Sequence, residues 1–145
     1  MAVDVVTRRI IRRDRASVAA YAADPANAPS WYENIHSVEW QTPPPLALGS
    51  RVAFVAHFLG RRLAYTYEVV AYAPGETLVM RTSEGPFPME TSYRWEDAGG
   101  DTRMTLRNRG QPRGFSTLVA PFMALAMRRA NKQDLARLAA LLERG

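Results

Sequence analysis

Two histidines, six tyrosines and no cysteine bound the chemistry open to this 145-residue chain. Without thiols there are no disulfides, thiolate zinc sites or iron–sulfur ligands. His36 and His57 alone are too few for an imidazole metal centre. General acid–base work needs a titratable group facing a substrate, and strand alternation turns every carboxylate from Glu68 to Glu96 outward. If Val38 and Trp40 face inward, His36 shares their face near one mouth of the interior and is the leading base candidate. A hydrogen-bonded histidine at a strand edge is the commoner fate of such a residue. His57, beside Ala53 and Val55, falls on the opposite face. Tyr67 and Tyr93 are the other weak catalytic candidates, through hydroxyls able to polarise a carbonyl. Ser116 and Thr117 lack a His/Asp constellation and read as helix-capping residues. Gly99-Gly100 is a turn between strands, not a phosphate loop. No metal and no cofactor is expected.

The net charge of +5 comes from 18 Arg and one Lys against 14 acidic residues. Arg8, Arg9, Arg12, Arg13 and Arg15 crowd near the start and would suit a polyanion. A solvated sheet face is the simpler account, so nucleic acid is not an expected partner. Met1 to Asp14 lacks the apolar core of a secretory signal, which points to a cytoplasmic location. The longest stretch free of charge and His, 114–127, is shorter than the roughly 20 residues of a bilayer span and is interrupted by Pro121, so no membrane crossing is expected.

These residues must be positioned by one domain, 1–145, since no repeat, low-complexity tract or long linker divides the chain. An opening strand spans Val3 to Ile11. Asp14 caps a short helix from Arg15 to Ala23, and Asp24-Pro25 opens a second one running toward Trp31. From Ile35 to Gly110, turn signals at 43–49, Gly60-Arg61, Pro74-Gly75, 84–86 and Gly99-Gly100 separate six strands. Apolar residues at 119, 122, 123, 126, 127 and 130, continued by Leu135, Leu138 and Leu142, predict one long helix over about 116–143 with Pro121 in its first turns.

Tight turns set the expected cross-strand partners, and a one-residue slip would exchange every side chain between faces. Around Gly60-Arg61, Phe58 meets Leu63, Ala56 meets Tyr65, Phe54 meets Tyr67 and Val52 meets Val69. Around Pro74-Gly75, Val69 meets Met80, Ala71 meets Leu78 and Glu68 meets Arg81. Around 84–86, Met80 meets Met89 and Thr82 meets Phe87. Around Gly99-Gly100, Trp95 meets Met104 and Tyr93 meets Leu106, with Glu96 opposite Arg103 and Glu90 opposite Arg109 on the outer face.

Seven strands at about 4.8 Å spacing make a sheet roughly 29 Å wide, whereas one helix covers about 10–12 Å. The sheet must curl around the helix, and remaining space is filled by the short helices, water or a ligand. Phe54, Phe58, Tyr65, Tyr67 and Met80 face that space, as do Phe87, Met89, Tyr93 and Met104. The long helix adds Val119, Phe122, Met123 and Met127. These are the candidate ligand-binding residues. Thr82, Thr91 and Asn108 share the inward parity and offer partners for tyrosine hydroxyls. Asn131 interrupts the helix stripe and faces either the chamber or a core partner. Trp31 and Tyr32 form a lid or a hydrophobic plug.

The order of elements, the opening Asp24-Pro25-Ala26-Asn27, the stretch Gly60-Arg61-Arg62-Leu63 through Tyr67-Glu68-Val69, and Pro74-Gly75 with Gly100-Asp101-Thr102-Arg103 resemble the START-like, or SRPBCC, helix-grip superfamily. Within it the chain looks like the polyketide cyclase/dehydrase and lipid-transport branch. The resemblance implies an α+β helix-grip fold: a curved seven-stranded antiparallel sheet around a long C-terminal helix, with two short helices between the first two strands. It also implies that an apolar small molecule, whether lipid, aromatic or polyketide-like, is bound or transported in an internal cavity. The alternative is an aromatase/cyclase- or dehydratase-like enzyme acting on a polyketide or related substrate. No catalytic motif of that family is present to carry over, so the residues do not decide between carrier and enzyme. A third class is an interaction protein presenting the Arg-rich sheet face.

Overall fold

In a computed structural model, which describes residues 2–115 and 118–144, the opening strand β1 runs Val3–Ile11. Asp14 caps α1 (Arg15–Ala23), its carboxylate accepting from the Ser17 amide at 3.0 Å. Asp24 repeats this toward Ala26, starting a 3₁₀ turn at Pro25–Asn27 that leads into α2 (Ala28–Trp31). Six strands follow: β2 (Ile35–Trp40), β3 (Arg51–Phe58), β4 (Arg61–Ala73), β5 (Thr77–Glu84), β6 (Met89–Ala98) and β7 (Asp101–Gly110). The chain closes with α3 (Met123–Arg144). The strands form one antiparallel sheet in the order β1-β7-β6-β5-β4-β3-β2, curled around α3, which is the helix-grip arrangement. No described helix is long and apolar enough to cross a membrane.

The β6–β7 register matches the sequence expectation at all four pairs, from Glu90 opposite Arg109 to Glu96 opposite Arg103. Gly99 and Gly100, at φ 61° and 93°, form the tight turn that sets it. The β3–β4 register differs by two positions: Phe54 faces Tyr65, Ala56 faces Leu63, Val52 faces Tyr67 and Phe58 faces Arg61. The turn residues are Leu59 and Gly60, both at positive φ, one position earlier than expected. A two-residue difference leaves every side chain on its expected face. Val69 faces Met80 and Glu68 faces Arg81 as expected, but an irregularity between Val69 and Ala71 puts Tyr72 rather than Ala71 opposite Leu78. Between β5 and β6 the loop is longer, so Met80 faces Thr91. There the Thr82 hydroxyl donates to the Met89 carbonyl and accepts from the Met89 amide.

The outer charges pair differently from the simple ladder. Glu90 takes both Arg81, at 2.6 Å, and Arg109. Glu68 binds Arg51 at 3.2 Å rather than Arg81, and Glu96 lies 3.8 Å from Arg94 on its own strand.

The long helix begins later than its apolar spacing suggests. Pro121 sits in a 3₁₀ turn (Ala120–Phe122), and regular α-helix starts only at Met123. Proline supplies no N–H and biases its predecessor away from helix, so the stripe does not extend back through it. Phe122 is consequently 61% exposed, contrary to its expected inward position. Ser116 and Thr117 lie outside the described residues. Further along α3, Leu135 and Leu138 are fully buried with Ile11, Val18, Trp31 and Leu78 in the main core.

Candidate functional site

Between the concave sheet and α3 lies a cavity of about 140 Å³. Phe54 and Phe58 of β3, Tyr65 and Tyr67 of β4, Met80 of β5, and Met89 and Tyr93 of β6 line it, as do Phe87, Met123 and Met127. Ten of the thirteen expected residues therefore line one cavity. Alternation within each strand accounts for the sheet positions, because the face that is apolar in sequence is the concave one.

The other three stand elsewhere. Met104 is inward but fully buried in the packed cluster with Trp95 and Leu138, where no space remains. Val119 lies before the helix and is outside the lining, and Phe122 points to solvent for the reason given above. Their place is taken by Phe115, whose ring centroid lies 6.2 Å from Phe58 and 6.1 Å from Phe87. Arg61 anchors this loop, donating to the Gly114 carbonyl and placing its guanidinium 5.6 Å from the Phe115 ring centre. No helical or strand period marks Phe115, so periodicity could not select it.

One wall carries an oriented chain of hydrogen bonds. Thr91 donates to Asn108 Oδ1 at 2.6 Å, so at 2.8 Å it accepts the proton of the Tyr67 hydroxyl. Asn108 Nδ2 in turn donates to Asn131 Oδ1 at 3.2 Å. Asn131 thus both lines the cavity and joins a polar network, and its Nδ2 is a buried donor without a partner among the described residues. The Tyr65 hydroxyl is hydrogen-bonded to no described residue.

A second polar group gathers where α2 meets α3. The Tyr32 and Tyr93 hydroxyls are 2.7 Å apart. Trp31 is fully buried beside them, its ring tilted against that of Tyr32 with centroids 4.0 Å apart, so Trp31 is a plug rather than a mobile lid. Asp134, on the same wall, is 2% exposed and accepts the Glu33 backbone N–H at 3.0 Å. Burial pushes its carboxyl up to about 6, against the lowering effect of that N–H and of Arg137. Burial likewise pushes Tyr67 up to about 12 and raises Tyr32, Tyr65 and Tyr93. The tyrosines therefore remain neutral O–H groups at physiological pH, and Asp134 is a cavity-lining carboxyl raised by burial.

Asp134 is the residue that sequence reasoning missed. It lies three positions after Asn131 and four before Leu138, on the stripe by helical spacing, a signal already present in the sequence.

His36 is not in the chamber. A bulge between Ile35 and Ser37 shifts the alternation of β2, so Ile35 lines the cavity while His36 is exposed on the convex face. Its ring stands edge-on to His57 at 4.4 Å, so the two histidines share a face instead of opposing each other. Among the described residues no cluster of three potential metal ligands exists, there or elsewhere. The early arginines are dispersed: Arg12 binds Glu143, Arg13 donates to the Leu142 carbonyl and Arg15 binds Asp97.

A sequence profile described as polyketide cyclase / dehydrase and lipid transport matches residues 2–143. No curated protein matches the sequence. Among solved structures, a protein from Thermus thermophilus superposes with a TM-score of 0.83 at 18% identity over 97% of each chain. A START superfamily protein from Mycobacterium smegmatis gives 0.82 at 12% identity, again over 97% of each. The Zhui aromatase/cyclase from Streptomyces sp. R1128 gives 0.80 at 15% identity, over 99% of this chain and 95% of that one. Likeness at these identities establishes the shared fold.

Proposed function

Because this chain belongs to the polyketide cyclase/dehydrase and lipid transport family, we propose that it binds an apolar small molecule in the cavity between sheet and α3. The observation that carries this reading is the lining itself: aromatic and methionine side chains from four strands and α3 surround space that they do not fill. The cavity, about 140 Å³, is close to the roughly 150 Å³ that holds a single benzene ring and below the 300–1,000 Å³ of drug-sized sites. A one-ring compound or a short alkyl chain fits this form of the protein. Burial of apolar surface supplies the affinity, at about 25 cal/mol per Å² before association costs. Tyr65 offers an uncommitted hydroxyl to orient a polar end.

Calorimetric titration with toluene tests this. Wild type should show saturable binding, and Met80→Trp, which places an indole in the cavity, should abolish it while preserving the circular dichroism spectrum. Wild type without saturable binding, together with a Met80→Trp protein destabilised by the about 1–3 kcal/mol of an overpacked core, would mean a solid interior.

Asp134 favours a second reading, an aromatase/cyclase- or dehydratase-like enzyme. A carboxyl titrating at about 6 beside two neutral tyrosine hydroxyls is suited to accept a proton while an O–H polarises a carbonyl. Turnover of a poly-β-ketone thioester by wild type, lost in Asp134→Asn, would support it; unchanged turnover in that variant would exclude this use of Asp134.

A further inference from the structure

A buried carboxylate with no cation beside it is costly, and a cation brought within hydrogen-bond reach offsets part of that cost. Asp134 is 2% exposed, with no Lys or Arg nitrogen within 4 Å among the described residues. On α3, Arg137 is exposed and outside ion-pair distance, and Asn131 is neutral. From the segment after α2, Glu33 contributes a backbone N–H, while its own exposed carboxylate repels. On the same wall stand the neutral hydroxyls of Tyr32 and Tyr93, bonded to each other. The cation that does reach the lining, Arg109, is committed to Glu90 on the outer face.

We propose that the cavity selects ligands carrying a protonated amine on an apolar ring or short chain, with Asp134 as the counter-ion. This rests on the reading that the cavity takes a small apolar molecule and names the polar end of that molecule. The carboxylate's desolvation is incurred when the chain folds, so an entering ammonium meets a charge already stripped of water and oriented by the Glu33 amide. The rings of Tyr32 and Tyr93, which lie on the same wall, present electron-rich surfaces that a cation tolerates and an anion does not.

The probes are benzylamine, benzyl alcohol and benzoate, matched in shape and differing in charge, titrated calorimetrically at neutral pH into wild type, Asp134→Asn and Met80→Trp. Wild type should bind benzylamine at least about tenfold tighter than benzyl alcohol, with benzoate weakest. Asp134→Asn keeps an acceptor for the Glu33 N–H; it should bring benzylamine and benzyl alcohol to equal affinity while changing the alcohol by less than about threefold. Wild type that binds benzyl alcohol without preferring the amine overturns the amine assignment and leaves the cavity reading standing. A preference that survives in Asp134→Asn overturns it as well. Binding of none of the three overturns both. Should Asp134→Asn fail to fold, Met80→Trp decides: amine binding that persists in a filled cavity lies at another carboxylate and refutes the proposal.

Discussion

The two halves of α3 do different work. From Leu135 onward, Leu135, Leu138, Ala139 and Leu142 are locked into the main buried core with Ile11, Val18, Trp31 and Trp95. Before that point Met123 is buried with Val3 and Val5 in a small separate cluster, against partly buried Phe58, Phe115 and Met127. The outward side chains there, Phe122 and Leu125, are 61% and 64% exposed. One half therefore supplies rigidity, and the other roofs a cavity with looser packing. Close packing transmits strain, whereas a loosely packed roof can yield without disturbing the sheet. Packing into the main core and roofing of the cavity are thus assigned to different turns of one helix.

The largest effect expected is at the packed half. Leu135→Ala should cost about 3–5 kcal/mol in denaturant melts, while Met123→Ala should fall near about 2, because its neighbours can relax into the cavity. Equal costs would break the comparison. Between the two lies Asp134, whose pKa is raised from 3.8 to about 6 on folding. The native state then binds more protons than the unfolded one between roughly pH 4 and 6, so this group lowers stability as pH rises through that window, by up to about 3 kcal/mol. Asp134→Asn should be more stable than wild type by up to that amount at pH 7.5, and the advantage should fade by pH 4. A constant difference across the range would show that the carboxylate is not the cause. Acidic groups held below their usual range act with the opposite sign and are common to both proteins, Glu90 among them, where Arg81 and Arg109 outweigh the upward pull of burial. The smallest effects belong to the surface: Phe122→Ala should stay within about 0.5 kcal/mol, and Glu96→Gln within about 1 kcal/mol. A loss of several kcal/mol at Phe122 would mean that the roof is packed after all.

The strands and their faces are legible in the sequence because burial enforces alternation, and a register change of two, as at Phe54 and Tyr65, leaves faces intact. A bulge changes parity, and nothing in Ile35-His36-Ser37 announces one, which is why alternation alone puts His36 in the chamber. Apolar spacing alone misplaces Phe122, because it ignores the helix-starting effect of Pro121. Met104 illustrates another limit: its inward face and its partner Trp95 are readable, but whether space remains beside it depends on how α3 packs, with Leu138 in the same buried cluster. Asp134 satisfies the spacing rule but not the expectation of polarity, since a carboxylate on an apolar stripe is ordinarily a solvated residue. Residues that break the local rule are often those kept for function.

The pairing of the first strand with the last has a consequence for how the chain reaches this structure. Val3 lies opposite Gly110 and Ile11 opposite Thr102, and the inner face of β1 is closed by Met123 of α3. Hairpins β3 to β7 can zip sequentially from their turns, each closing a short loop. β1 is made before β2 to β7 and has no strand partner until β7, about a hundred residues later, has been made. The long sequence separation across this seam makes its closure slower than that of the hairpins on loop-closure grounds. A chain still lacking this pairing leaves the edge of β7 and the cavity wall open to solvent together, so the cavity is enclosed only when the seam closes.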